Sequence, residues 1–338
     1  MDAEAGPLRH CVHETPWRAY ALAWSTRPEP RFRFAVGSIL EHESNRIQVI
    51  EVNEASRSFM PVAEVEHAFP PTKLMWGPSA DVLAAAGTAL NLYRLEEDCQ
   101  MRCYATLANT RRQQPQQATA QRVGASQQAP LTSFDWCADN PQRIGTSSVD
   151  TTCTIWNIEK QKIETQLIAH DKAVYDITFA VPNLFASCGA DGSVRLFDQR
   201  NLEHSTIIYE SSSMAPLLHL TWNKLNKHYI ATVAMDTSGV IIIDIRRPSM
   251  PLLSLPCDAC VNAAVWAPHS RSHLLCGTEE GQALIWDVKE GRGSTEGMPR
   301  PSPCLAYGCD HELYQVQWGA QPEWVALGSS THVEVLQI

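Results

Sequence analysis

Short apolar runs bounded by Gly, Pro, Asn, Asp or Ser recur along the whole chain, and no stretch sustains the three-to-four-residue spacing of an amphipathic helix. In the middle of the sequence the pattern predicts four antiparallel strands at 173–179, 184–187, 193–197 and 205–209. Turns fall between them at Pro182-Asn183, Asp191-Gly192 and Arg200 to His204. Alternation is weak in the inner runs, as for strands covered on both faces by neighbours. The fold class is therefore all-β.

The pattern also repeats at long range. Residues 145–158 (GTSSVDTTCTIWNI), 187–200 (SCGADGSVRLFDQR) and 276–288 (CGTEEGQALIWDV) share small residues, an acidic turn, an apolar strand and a closing aromatic. Asp150, Asp236 and Glu280 hold turn positions comparable with Asp191. Upstream of each copy a second aromatic closes a short strand, at Trp136, Phe179, Trp222 and Trp266, with intervals of 43, 43 and 44 residues. The same register reaches Trp24, Trp76 and Trp318, which makes seven units. A period of about 40 to 45 residues is that of WD repeats and predicts a seven-bladed β-propeller.

The ends of the chain complete that picture. After Trp318 only two further strands, at 324–330 and 332–338, can form, so the last unit lacks a fourth. Residues 8–15 (LRHCVHET) can supply it, closing the ring and removing an edge that invites aggregation. The expected organisation is a single propeller over residues 8–338 behind a flexible tail, 1–7. A disordered Gln-rich loop at 108–130 lengthens the second interval, and residues 290–303 lengthen the sixth.

Composition narrows the function. Of 338 residues 44% are hydrophobic and 19% charged, with a net charge of −10 that argues against direct nucleic-acid binding and favours basic partners. Eleven scattered cysteines without a disulfide spacing, and no secretory or membrane-spanning run, point to a reducing compartment. The expected location is cytoplasm and nucleus, although no basic cluster marks nuclear entry. The Cys257–Cys260 CxxC lacks the further ligands that zinc needs, and HCVH at 10–13 reads as an edge strand. No metal or cofactor is expected. No phosphate loop, paired-carboxylate site or nucleophile elbow is present, so the chain does not read as an enzyme.

Three groups of residues stand out. His170, Ser187 and Asp191 fit a buried polar network that ties a blade together. Phe197 stands where such repeats carry Trp and cannot donate to that network, which should then be one member shorter. The position four residues before each anchor aromatic begins an innermost strand, so Tyr20, Thr72, Thr132, Tyr175, Leu218, Asn262 and Tyr314 should ring one mouth of the channel. Three tyrosines in seven suit protein binding, although strand starts also favour aromatics. FDQR at 197–200 and IDIR at 243–246 approximate the WDxR signature for docking to the adaptor of cullin ubiquitin ligases. Asp198, Arg200, Asp244 and Arg246 are then either contact residues or local ion pairs.

Several segments carry a closer resemblance, among them RPEPRFRFAVGS, TQLIAHDKAVYDI, LEHSTIIYE and CVNAAVWAPHS. They resemble the WD-repeat adaptor family of plant Transparent Testa Glabra and its animal counterpart, the cullin-ligase-associated adaptor that binds DYRK kinases. Surface wording such as LEHSTIIYE is not demanded by a propeller. The resemblance covers most of residues 14–338 and implies a non-enzymatic, monomeric scaffold within hetero-complexes. Its partners would be MYB and basic helix-loop-helix transcription factors or protein kinases. A second reading is a substrate receptor of a cullin ubiquitin ligase, and a third, remote one is a propeller enzyme. The insertion at 108–130, the segment after Lys289 and TEEG at 278–281 depart from the family pattern.

Overall fold

A computed structural model describes residues 9–338 apart from 26, 28–31, 42, 54–55, 57, 79–80, 110–128 and 290–300. The expected tail at 1–7 and nearly all of the expected Gln-rich loop lie outside the described residues, as does most of 290–303. The described chain forms seven four-stranded antiparallel sheets, numbered here as blades 1 to 7 from the first complete one, with no helix among the described residues. The innermost strands are Ala19–Trp24, Lys73–Trp76, Leu131–Trp136, Val174–Val181, Leu217–Trp222, Val261–Trp266 and Leu313–Trp318. Each contacts its neighbours on both sides, and the first contacts the last, so the sheets close into a seven-bladed β-propeller. His10–Glu14 is the outer strand of blade 7 and pairs antiparallel with His332–Gln337, from His10 opposite Leu336 to Glu14 opposite His332.

The core is distributed. Seven apolar clusters form, each at the junction of two neighbouring blades. Leu131, Phe134, Trp136 and Ile144 of blade 3, for example, pack on Ala84, Leu90 and Leu107 of blade 2. Full burial of each large side chain contributes about 1.5–3 kcal/mol, and a lone blade has nothing to bury its faces against.

The anchor aromatics explain why the repeat is so regular. Trp76, Trp266 and Trp318 donate their indole N–H to the carbonyls of Ala23, Thr221 and Val265, each the residue just before the preceding blade's anchor. Where Trp136 meets blade 2, its ring lies so close to Gly77 that a Cβ there would sit 2.9 Å from it, and Trp24 stands at the same distance over Gly319. The glycines permit the approach.

Two local expectations change. In blade 4 the outer strand spans Asn201–Glu210 instead of 205–209, with Asn201 already opposite Asp198. The predicted turn from Arg200 to His204 therefore tightens to Gln199-Arg200. The acidic turns also differ in detail: Gly192 and Gly281 take φ of 78° and 79°, whereas Thr151 adopts 74° at the matching position of blade 3. A β-branched residue there is strained. Asp150 compensates by accepting bonds from the amide and hydroxyl of Thr152, at 3.2 and 2.7 Å. In blade 5 Asp236 itself, not the residue after it, has positive φ.

Candidate protein-docking faces

Strand register separates the candidate residues onto two faces. In blade 4 the inner strand starts with Val174 opposite Gly189 and ends with Val181 opposite Leu184, which in turn faces Asp198. Tyr175 and Asp198 thus sit at opposite ends of one sheet. Blade 5 repeats this, with Leu217 facing Ala234 at one end and Tyr229 facing Asp244 at the other. The seven mouth positions share one face of the ring, and the two Asp-x-Arg turns share the other.

Six of the seven mouth positions are β-bulges. Tyr20, Thr132, Tyr175, Leu218, Asn262 and Tyr314 are each skipped in the pairing of their strand, and Thr72 lies just before its own. A bulged residue leaves the ladder and its side chain is re-aimed, here at the mouth. The seven are not equivalent. Thr72, Thr132 and Asn262 bond carbonyls of the next blade, at Leu131, Val174 and Leu313. These three clasp neighbouring blades. Tyr20 and Leu218 are exposed, Tyr175 is half-buried, and the Tyr314 ring lies 6.4 Å from that of Tyr20. The Tyr314 hydroxyl donates to Glu312 at 2.9 Å and accepts from Arg18 at 3.4 Å.

One position further along the inner strands lies a site that the sequence reading missed. Asp176 is 2% exposed and joins four blades. It accepts from Ser133 Oγ at 2.6 Å, Leu220 N at 2.9 Å and Ile177 N at 2.9 Å, with Lys73 Nζ at 3.5 Å and His219 Nδ1 at 2.9 Å. Burial pushes its pKa up, but Lys73, His219 and Ser133 together outweigh burial and hold the carboxyl well below the usual range. The signal was legible. The residue after the mouth position reads Lys73, Ser133, Asp176 and His219 in blades 2 to 5, polar in strands that are otherwise largely apolar. The adjoining channel cavity, about 270 Å³, is lined by Lys73 and Lys224 among others. Both lysines already hold a carboxylate, Lys224 through Asp135 at 2.9 Å, so neither is free to hold a small anion.

The blade 4 network forms, with different membership. His170 Nδ1 lies 3.0 Å from each Asp191 oxygen and Nε2 lies 2.7 Å from Ser187 Oγ, all buried. Ser193 Oγ donates to Asp191 at 2.8 Å, and Arg195 bridges Asp191 and Asp171 at 3.1 and 2.6 Å. The network is longer than expected, because Ser193 and Arg195 join it without an indole. Burial raises the Asp191 pKa, but His170 and Ser193 together draw it well below the usual range. Phe197 instead stacks on Phe185, centroids 5.0 Å apart. The matching pair in blade 3 is Ile144 with Trp156, whose indole donates to Thr146 at 3.0 Å. Blade 6 pairs Leu274 with Trp286 but puts Cys276 where Thr146 stands, and the Trp286 N–H finds no hydrogen-bond partner among the described residues.

On the opposite face Arg200 and Arg246 fold back on Asp198 and Asp244. Arg200 reaches Asp198 at 2.9 and 2.5 Å, and Arg246 reaches Asp244 at 2.9 and 2.6 Å. The hydrogen bond to Arg200 holds the Asp198 carboxyl down to about 2, and Arg246 lowers Asp244 in the same way. The guanidinium side chains nevertheless remain 76% and 56% exposed. Local pairing and surface presentation therefore coexist. A related turn, Trp286-Asp287-Val288-Lys289, escaped the sequence reading, and Lys289 is exposed beside them in blade 6. The turns 223–228, 245–250, 267–272 and 288–289 of this face carry Lys224, Lys227, Arg246, Arg247, Arg271 and Lys289 and no Asp or Glu.

All eleven cysteines are free thiols. Burial pushes the Cys257 thiol up to about 11, which leaves it protonated and unreactive at neutral pH. No three His, Cys, Asp or Glu side chains among the described residues stand close enough to hold a metal ion.

These features define a WD-repeat propeller, and comparison with known proteins agrees: residues 161–198 match the WD domain, G-beta repeat. The DDB1- and CUL4-associated factor 7 homolog of Dictyostelium discoideum is 44% identical over 337 residues, covering 97% of this chain and 98% of that protein. An uncharacterized WD repeat-containing protein of Schizosaccharomyces pombe is 31% identical, covering 99% of this chain and 91% of its own length. A WD repeat-containing protein of Saccharomyces cerevisiae is 34% identical, over 87% of this chain and 61% of its own length. The chain belongs to the WD-repeat family that includes the Dictyostelium DDB1- and CUL4-associated factor 7 homolog.

Proposed function

We propose that this propeller is a non-catalytic adaptor that serves as a substrate receptor of a cullin ubiquitin ligase. The observation that carries the reading is the near full-length likeness to a relative named for association with DDB1 and CUL4. The geometry supports a division of labour: Arg200 and Arg246, on adjacent blades, meet the ligase adaptor, and the mouth on the far side holds a client protein. The wider scaffold reading, with kinases or MYB and basic helix-loop-helix factors as clients, draws only on the surface segments quoted above and uses the same mouth.

Binding of the purified chain to the ligase adaptor tests the proposal. Arg200→Ala with Arg246→Ala removes two exposed guanidinium groups, the second of which is also the partner of the buried Asp244 carboxylate. Affinity should fall about tenfold or more, since interfacial Arg is often an energetic anchor. Unchanged affinity in a variant with wild-type circular dichroism would sink the assignment of that face.

A further inference from the structure

The mouth face exposes apolar surface that nothing among the described residues covers. Leu218 and Tyr20 are 40% and 38% exposed at the channel rim, and Met214, 55% exposed, stands in the loop leading to Leu218. Met214 is held with φ of 54°, and its backbone lies against the Gly192 turn, so the fold itself keeps it at the surface. Bulging has aimed Leu218 and Tyr20 away from the sheets they belong to.

The surrounding charge selects an occupant. The mouth-side turns 235–238, 257–260, 279–281 and 309–312 of blades 5 to 7 carry Asp236, Asp258, Glu279, Glu280, Asp310 and Glu312 and no Lys or Arg. Glu312 is engaged by Asn262 and Tyr314, and Glu279 by the Cys260 amide. Asp236, Asp258, Glu280 and Asp310 are exposed, with no cationic partner among the described residues. The far side of blades 5 and 6 is basic, so the two faces of one wall differ in sign. Exposed apolar side chains on a rim that also carries unpaired carboxylates fit a cationic chain with an apolar side chain among its charges, because the field attracts and orients it while the apolar contact supplies residence.

We infer that the mouth of blades 5 to 7 docks a basic, extended peptide segment of a client protein, with an apolar residue of that segment set against Leu218 and Met214. The inference rests on the mouth being the client side and is independent of ligase docking. An acidic client segment is excluded by the same charges.

The test uses the full chain and a fluorescent synthetic peptide of arginines flanking one leucine, with a control in which glutamates replace the arginines. Anisotropy should show binding of the arginine peptide only, weakening with added salt. The variant Asp236→Asn, Asp258→Asn, Glu279→Gln, Glu280→Gln alters exposed turn side chains alone and should weaken binding about tenfold, the summed effect of several surface ion pairs. Leu218→Ser should weaken it further, and Arg200→Ala with Arg246→Ala should leave it unchanged. Equal binding of both peptides, no binding of either, or indifference to the four carboxylates overturns the inference. So does peptide-free self-association of the wild type that the four-residue variant abolishes, because the acidic face would then belong to the basic face of a second copy. A chain that binds the ligase adaptor but not the arginine peptide disproves this inference alone, and the converse disproves only the ligase reading.

Discussion

Replacing Asp176 with Ala tests whether the ring is held at its centre by charge as well as by packing between blades. The substitution removes the acceptor shared by Ser133, Leu220 N, Lys73 and His219. Breaking a buried ion pair from one side costs about 3–5 kcal/mol, and a stranded buried amide such as Leu220 N about 1–3 kcal/mol. These costs overlap. Lys73 and His219 side chains are each 29% exposed and can regain water in the channel, which favours the lower end, about 3–4 kcal/mol in all. For a chain of this length about 2 °C is lost per kcal/mol, so the unfolding midpoint should drop about 6–8 °C. Circular dichroism through a thermal ramp at pH 7 and fixed scan rate measures it. Lys73→Met should cost far less, because His219, Ser133 and Leu220 N still satisfy the carboxylate. A fall below about 2 °C for Asp176→Ala, or equal falls for the two variants, refutes the claim that this carboxylate ties the blades together.

Two further predictions concern the same networks. Asp176 and Asp191 both have folded-state pKa values below the ordinary 3.8, so their stabilisation is complete above about pH 4 and is lost as pH falls through the lowered values. Midpoints measured from pH 7 downward should hold with respect to these groups to about pH 4 and then fall; the double variant Asp176→Asn, Asp191→Asn, less stable at pH 7, should fall less steeply, and parallel curves would contradict the assignment. Phe197→Trp restores the usual repeat residue yet should destabilise by about 1–3 kcal/mol, because Phe185 fills the space that Ile144 leaves open in blade 3. Adding Phe185→Ile should recover much of the loss, as read by urea denaturation, and a stabilising single substitution would show that reasoning to be mistaken.

Much of this protein is legible in the one-dimensional pattern because its causes are local. Apolar runs of strand length, acidic turns and anchor aromatics at a recurring interval fix the all-β class, the seven units and the pairing of the first strand with the last, since each blade must bury its faces against neighbours of the same build. His170, Ser187 and Asp191 were readable for the same reason: they lie within one repeat unit. Tertiary structure decided what depends on meeting across blades. Asp176 meets Lys73 from 103 residues away, a pairing that local spacing cannot encode. The bulges that turn Tyr20 and Leu218 outward, the clasps that take Thr72, Thr132 and Asn262 for the fold, and the division of charge between two faces all come from closing the ring. Closure brings every inner strand's start to one mouth and every Asp-x-Arg turn to the other side. Composition records only the net charge of −10, which conceals an acidic arc and a basic one on opposite faces of the same wall.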